Sequence, residues 1–135
     1  MPRRRLSLQK FCELVREAVE SLPEPLSAYL ENVVVDVQEE PAESDLDRLE
    51  HRGAFDDDNL LLGLFIGVPI TEQHFGDRHP NVIKIFRRPM EQVSTSRRSL
   101  LRNIRATVIH ELAHHFGFSE EELEDFERRQ DALDE

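Results

Sequence analysis

The most informative segment of the chain is VIHELAHHFGFSE, which runs from Val108 to Glu120. It contains the motif H-E-x-x-H, in which the two histidines are His110 and His114. Residues four positions apart on a helix differ by about 40° around its axis, so both histidines are predicted on one side, one turn apart. Two imidazoles at this spacing can bind one zinc ion, with Glu111 as the general base that activates the attacking water.

This segment is predicted to end a long helix that begins at Ser94 or Ser96, continues to Phe116 and stops at Gly117. Four apolar residues share one side of that helix and are predicted to face the core: Leu101, Ile104, Val108 and Leu112. The two histidines of the motif lie on the opposite side, together with small residues that leave room for a cleft: Asn103, Ala106 and Thr107.

The aromatic residues around the motif are predicted to be structural. His115 falls within the apolar stripe, so we expect a core histidine with one hydrogen bond rather than a ligand. Phe116 and Phe118 are predicted to be core residues that fix the turn at Gly117. Tyr29 is too remote in the sequence to be given a role in the site.

The third metal ligand is predicted to be Glu120, because Gly117 allows a left-handed turn that brings the chain back toward the metal. The alternative is that Glu120 only stabilises the start of a short last helix, where Ser119 and Glu122 fit the capping-box pattern. If Glu120 is not a ligand, one of two loop histidines can replace it: His74 or His79.

The rest of the chain predicts a single α+β domain over residues 1–135, with a sheet of three to four strands on which the long helix packs. A first helix is predicted from Ser7 to Glu20, with Cys12 as a small buried residue. The predicted strands are Val33–Val37, Leu60–Ile66 and Val82–Phe86, the last ending before Pro89. The acidic segment Glu39–Asp58 is predicted to be a mobile loop.

Composition narrows the possible environments and partners. The net charge is -11, with 28 acidic against 17 basic residues, which argues against a general nucleic-acid-binding protein. The chain has no apolar run long enough to predict a membrane span. A single cysteine allows no internal disulfide and is typical of a reducing compartment, so we expect a cytoplasmic protein.

The motif with its extension, H-E-x-x-H-x-x-G-x-x-acid, resembles the metzincin signature, in which the last position is histidine. The chain departs from that signature at Glu120, and no methionine follows the site to form a Met-turn. A closer resemblance is to small, mainly bacterial, zincin-like proteins described as minimal matrix-metalloprotease-like domains. The matching pieces are Phe11 to Val15, Ser21 to Pro23, Leu30 to Val33, Leu62 to Phe65, Gly67 to Pro69, Ile83 to Arg87 and Val108 to Glu122.

This resemblance implies a compact zincin-like fold, zinc binding and assignment as a metallopeptidase, and it fits an acidic residue at position 120. We therefore expect a monomeric zinc metallopeptidase that hydrolyses peptide bonds of a peptide or protein substrate. The first alternative is a zincin fold that acts as a metal- or protein-binding module without efficient catalysis. The second is an interaction protein with an exposed basic surface formed by Arg97, Arg98, Arg102 and Arg105.

Overall fold

The computed structural model describes residues 6–24, 26–43, 53–55, 60–66, 81–119, 121–125 and 128. Within these ranges helices and a 3₁₀ turn precede the four strands of one sheet, and further helices follow them. The elements in chain order are α1 (Leu8–Glu20), α2 (Leu26–Tyr29), a 3₁₀ turn (Leu30–Asn32), β1 (Val33–Gln38), β2 (Gly53–Phe55), β3 (Leu61–Ile66), β4 (Asn81–Phe86), α3 (Arg87–Gln92) and α4 (Arg97–Phe116).

The sheet is mixed, with the strand order β1-β4-β3-β2. β1 pairs with β4 in parallel, whereas β3 pairs antiparallel with both β4 and β2. The three strands predicted from the sequence are confirmed within one or two residues, and so is the long helix packed on the sheet. The prediction of an α+β fold is therefore confirmed for the described residues.

The prediction of a mobile loop over Glu39–Asp58 is wrong for the residues Gly53–Phe55 near its end, because they form strand β2 beside β3. A strand of three residues is too short to show the two-residue periodicity that identifies strands in a sequence. The first two acidic residues of this segment form ion pairs with α3, Glu39 with Arg87 at 2.7 Å and Glu40 with Arg88 at 3.0 Å. Residues 44–52 and 56–59 lie outside the described residues.

The chain also turns directly from β4 into helix α3, which the sequence does not predict. Pro89 suggests a break at this point, but it is the third residue of α3, and a proline in the first turn removes no helical hydrogen bond. The buried residues Pro89 and Met90 on α3 pack close to β3 and β4. Helix α3 therefore covers one end of the sheet just before the long helix begins.

The helix ends follow the capping chemistry of the sequence. The Ser7 hydroxyl oxygen accepts a hydrogen bond from the Lys10 amide at 3.2 Å, as predicted for an N-cap. Helix α4 begins after Ser96, whose hydroxyl forms a reciprocal capping box with Ser99. The predicted capping box of the last helical segment, 121–125, is also present, since the Glu122 amide donates to the Ser119 hydroxyl at 3.1 Å. Local polar residues thus fix where these helices start.

The main hydrophobic core lies between α1, α4 and the sheet, and the four predicted core residues of α4 are all buried. On α1 the buried side consists of Phe11, Leu14, Val15 and Ala18. Cys12 is exposed, so the prediction that it is buried is wrong. Its position is about 100° around the helix from Phe11, outside the buried side. No helix within the described part of the chain is long and apolar enough to span a membrane.

Candidate metal centre

Helix α4 is buried over most of its circumference and leaves one narrow side accessible. On this side Ala106 is exposed, while Asn103 and His110 are half-buried. Thr107, predicted for the same side, is instead buried. His110 therefore lies on the accessible side of α4, opposite the buried core residues of the helix. Position 114 follows one turn later on the same side of α4, although the His114 side chain lies outside the described residues.

Glu111 lies next to His110 in the chain but on a different side of the helix. Its side chain is only 1% exposed, and it is the one acidic residue among the largest fully buried side chains of the described residues. Residues 107, 111 and 115 are spaced by four and share the side of α4 that faces β3. The candidate general base is therefore held between the helix and the sheet, whereas His110 is open to the surface.

The helix approaches β3 closely at Thr107, one turn before Glu111. A Cβ atom added to Gly63 would lie 2.5 Å from the Thr107 Cγ2 atom and 3.1 Å from the Lys84 carbonyl oxygen. Thr107 is itself fixed, because its hydroxyl donates to the Asn103 carbonyl oxygen at 2.8 Å. The absence of a side chain at Gly63 therefore allows β3 to pack this close to the helix that carries the motif. A glycine inside the apolar run LLGLFI is the sequence signal that indicates such an approach.

The helix contacts β3 again one turn after Glu111, through an aromatic stack. The His115 and Phe65 rings are stacked, with centroids 3.9 Å apart and an interplanar angle of 20°. His115 is exposed, so the prediction of a core histidine is wrong. The Phe65 ring of β3 stacks on one face of the His115 ring at the last turn of α4. Partial burial still lowers the pKa of His115 below its ordinary value.

Further aromatic rings surround the end of α4. Tyr29, from α2, stacks on Phe116 with centroids 4.4 Å apart and meets the edge of Phe118 at 5.5 Å. Phe116 and Phe118 are half-buried and pack against the main core, in agreement with the structural role predicted for them. Tyr29 thus lies close to the motif in space, which its position in the sequence does not reveal.

The turn after α4 has the geometry predicted for Gly117. This residue adopts the left-handed conformation, with φ of 75°, and its amide donates to the Ala113 carbonyl oxygen. The Phe118 amide donates to the same oxygen at 2.9 Å. Glu120 follows three residues after the glycine and lies outside the described residues, as do His74 and His79.

The donor set of the motif fits a zinc ion in chemistry and in spacing, because α4 is continuous from Arg97 to Phe116 and places positions 110 and 114 one turn apart. His110 is half-buried beside the exposed Ala106, so this side of the helix is accessible. Among the residues whose side chains are described, no group of three or more His, Cys, Asp or Glu residues converges. Of the predicted ligands, only the side chain of His110 belongs to that set.

The basic surface considered as an alternative does not include all four predicted arginines. Arg105 is only 7% exposed, and its Nε donates to the Ser21 hydroxyl oxygen at 3.0 Å. Arg97 forms an ion pair with Glu17 at 3.4 Å. Arg98 and Arg102 are exposed. The prediction that Arg105 forms part of an exposed surface is wrong, because this residue connects α4 to the end of α1.

Comparison with known proteins identifies the family of the chain. No curated protein matches the sequence. The family model described as zincin-like metallopeptidase matches residues 30–130, which include the whole sheet and all of α4. The match covers well over half of the chain, and it includes the H-E-x-x-H motif on the helix that carries it. The chain therefore belongs to the family of zincin-like metallopeptidases.

Proposed function

We propose that the protein is a zinc-dependent metallopeptidase that hydrolyses peptide bonds. The observation that carries this proposal is the placement of the motif on the continuous helix α4, with His110 half-buried at the accessible side of that helix. Membership of the zincin-like family supports the same reaction class. His110, His114 and Glu120 would hold the zinc ion, with one coordination position open.

Zinc, when bound, supplies a Lewis acid that polarises the peptide carbonyl and makes water acidic enough to be activated at neutral pH. Glu111 takes a proton from the attacking water and passes it to the nitrogen of the leaving amine. Its confinement between α4 and β3 restricts the carboxyl group to few orientations, which favours proton transfer in a fixed direction. These steps require no other acid or base from the chain.

The substrate would be a peptide or an unfolded protein segment. β2 is an outer strand of the sheet and lies next to α4. An extended peptide can add to such an edge through backbone hydrogen bonds, which makes binding largely independent of the side chains. The proposed substrate class is therefore an extended peptide with weak sequence preference.

The second candidate function is a zincin fold that binds metal or protein without efficient catalysis. The burial of Glu111 favours it, because a base that is 1% exposed reaches substrate only if the site opens or the substrate enters beside it.

For either function we propose a monomer that acts without nucleic acid or membrane. The single cysteine supports a cytoplasmic location.

Two measurements test the proposal. Zinc content after incubation and dialysis should approach one ion per chain for the wild type and fall strongly for His110→Ala, with Arg98→Ala as a control on the exposed side of α4. Equal zinc in the wild type and His110→Ala would end the metal proposal.

The second measurement uses Glu111→Gln, which keeps the shape of the side chain but removes the base. It should bind zinc as the wild type does and lose at least about a hundredfold in turnover of an unfolded protein substrate. Unchanged turnover contradicts the role of Glu111. Zinc binding without turnover in the wild type supports the binding module instead.

A further inference from the structure

The stack between His115 and Phe65 is a contact that the proposed reaction does not use. The two rings lie 3.9 Å apart and nearly parallel, and the Phe116 ring meets His115 edge-on at 4.8 Å. His115 is exposed, so the stack contributes little to burial of the core. It nevertheless joins the last turn of α4 to the last part of β3.

His115 does not lie on the metal-binding side of the helix. Position 115 is five residues after His110, so the two residues differ by about 140° around the helix axis. The stack on Phe65 fixes the His115 ring on the side of α4 that faces β3. Its place in the structure is therefore not that of a further ligand beside His110.

The position of His115 in the chain nevertheless places it between a predicted metal ligand and the turn that ends α4. It directly follows the predicted ligand His114 and stands two residues before Gly117, where the chain takes its left-handed turn. The turn is held by backbone hydrogen bonds from Gly117 and Phe118 to the Ala113 carbonyl oxygen. Phe116 and Phe118 also contact Tyr29 of α2, and the Phe116 ring meets Phe65 of β3 edge-on with centroids 6.4 Å apart, farther than the His115 ring.

We propose that His115 is a positioning residue whose stack on Phe65 holds the last turn of α4 against β3. By fixing this turn, the stack sets the direction in which the chain passes Gly117 toward Glu120, and so the geometry of the third metal ligand. The part of the proposal that concerns zinc rests on the proposed function. The part that concerns the turn does not.

Hydrogen exchange of zinc-free protein tests the turn directly. In His115→Ala and in Phe65→Ala, the Gly117 and Phe118 amides should exchange about three- to tenfold faster than in the wild type, as expected from the loss of one aromatic pair. The double variant should exchange no faster than Phe65→Ala alone, because that substitution already removes the stack. His115→Phe, which restores a ring that can stack on Phe65, and the control Arg98→Ala should both behave like the wild type. Unchanged exchange in His115→Ala would overturn the proposal.

Zinc titration of the same variants tests the consequence for the metal. Affinity should fall about three- to tenfold in His115→Ala and recover in His115→Phe. If His115→Phe restores the exchange rates but not the affinity, His115 acts as a ligand and the positioning role is wrong. If exchange accelerates while affinity stays constant, the stack does not set the ligand geometry. If the wild type binds no zinc, the proposed function fails, and the exchange rates still decide the role of the stack.

Discussion

At the scale of single residues, the structure separates side chains that look equivalent in the sequence. Arg98 and Arg105 lie on the same helix, but Arg98 is exposed and Arg105 is 7% exposed. The Ser21 hydroxyl accepts from Arg105 at 3.0 Å and donates to the Ala18 carbonyl oxygen at 2.8 Å. Arg105 thus connects the middle of α4 to the C-terminal end of α1.

We expect Arg105→Ala to lower the free energy of unfolding by about 2 kcal/mol, because a buried charge-assisted hydrogen bond and the packing of the arginine stem are lost. Arg98→Ala should change it by less than about 0.5 kcal/mol, as is usual for exposed positions. Urea denaturation of both variants measures the difference. Equal effects of the two substitutions would contradict the structural role of Arg105.

Glu111 is a site residue whose properties could be predicted only in part from the sequence. Its proposed role follows from its place between the two histidines of the motif, but its burial could not be predicted, because burial at this position depends on β3. The positions of Phe65 and Tyr29 near the motif were also beyond sequence reasoning, since both contacts join segments that are distant in the chain. His114 and Glu120 remain predicted ligands.

At the scale of elements, the distance between α4 and β3 depends on Gly63. We expect Gly63→Ala to lower the free energy of unfolding by about 1–3 kcal/mol, because its Cβ would overlap the Thr107 Cγ2 atom. Thr107→Ser removes that methyl group and keeps the hydroxyl that donates to the Asn103 carbonyl oxygen. In the Thr107→Ser background the cost of Gly63→Ala should therefore fall by about 1 kcal/mol.

Gly117→Ala is the matched control for this double-mutant cycle. Its added Cβ would have no neighbour within 4 Å, so its cost comes from the left-handed backbone alone and should be about 1 kcal/mol. Thr107→Ser should not change that cost. If Gly63→Ala costs the same in both Thr107 backgrounds, the two elements do not meet as the structure indicates.

The elements that could be predicted are those whose signals are local. Ser7, Ser96 and Ser119 mark helix starts through side-chain hydrogen bonds to nearby amides, and Gly117 marks a helix end. β2 and α3 were not predicted from the sequence, for different physical reasons. β2 is defined by its partner β3 rather than by its own pattern, and α3 contains a proline that its first turn tolerates.

At the scale of the whole molecule, Arg87 connects three segments that are far apart in the chain. Its guanidinium donates to the Leu6 carbonyl oxygen at 2.8 Å and to the Glu39 carboxylate at 2.7 Å, and it contacts Glu91 at 3.5 Å. The Arg87 side chain is 16% exposed. The neighbouring pair of Arg88 with Glu40 is exposed by 54% and 60%.

We expect Arg87→Ala to lower the free energy of unfolding by about 2–3 kcal/mol, because it leaves partly buried acceptors without their charged donor. Arg88→Ala should cost less than about 1 kcal/mol, since water and salt screen an exposed pair. The loss of stability in each variant is measured by thermal or urea unfolding at low and at high salt. A larger effect of Arg88→Ala would show that burial does not distinguish the two arginines.

The parallel pairing of β1 with β4 has a consequence for the order in which the molecule forms. Glu39, just after β1, meets Arg87 across 48 residues of chain, whereas β3 and β4 are much closer in sequence. Closing the longer loop costs more chain entropy. This cost is offset only after the contacts between β1 and β4 have formed. The antiparallel part of the sheet can therefore assemble with α4 before β1 and α1 dock. Substitutions at the β1–β4 contact should then accelerate unfolding while they leave the folding rate nearly unchanged.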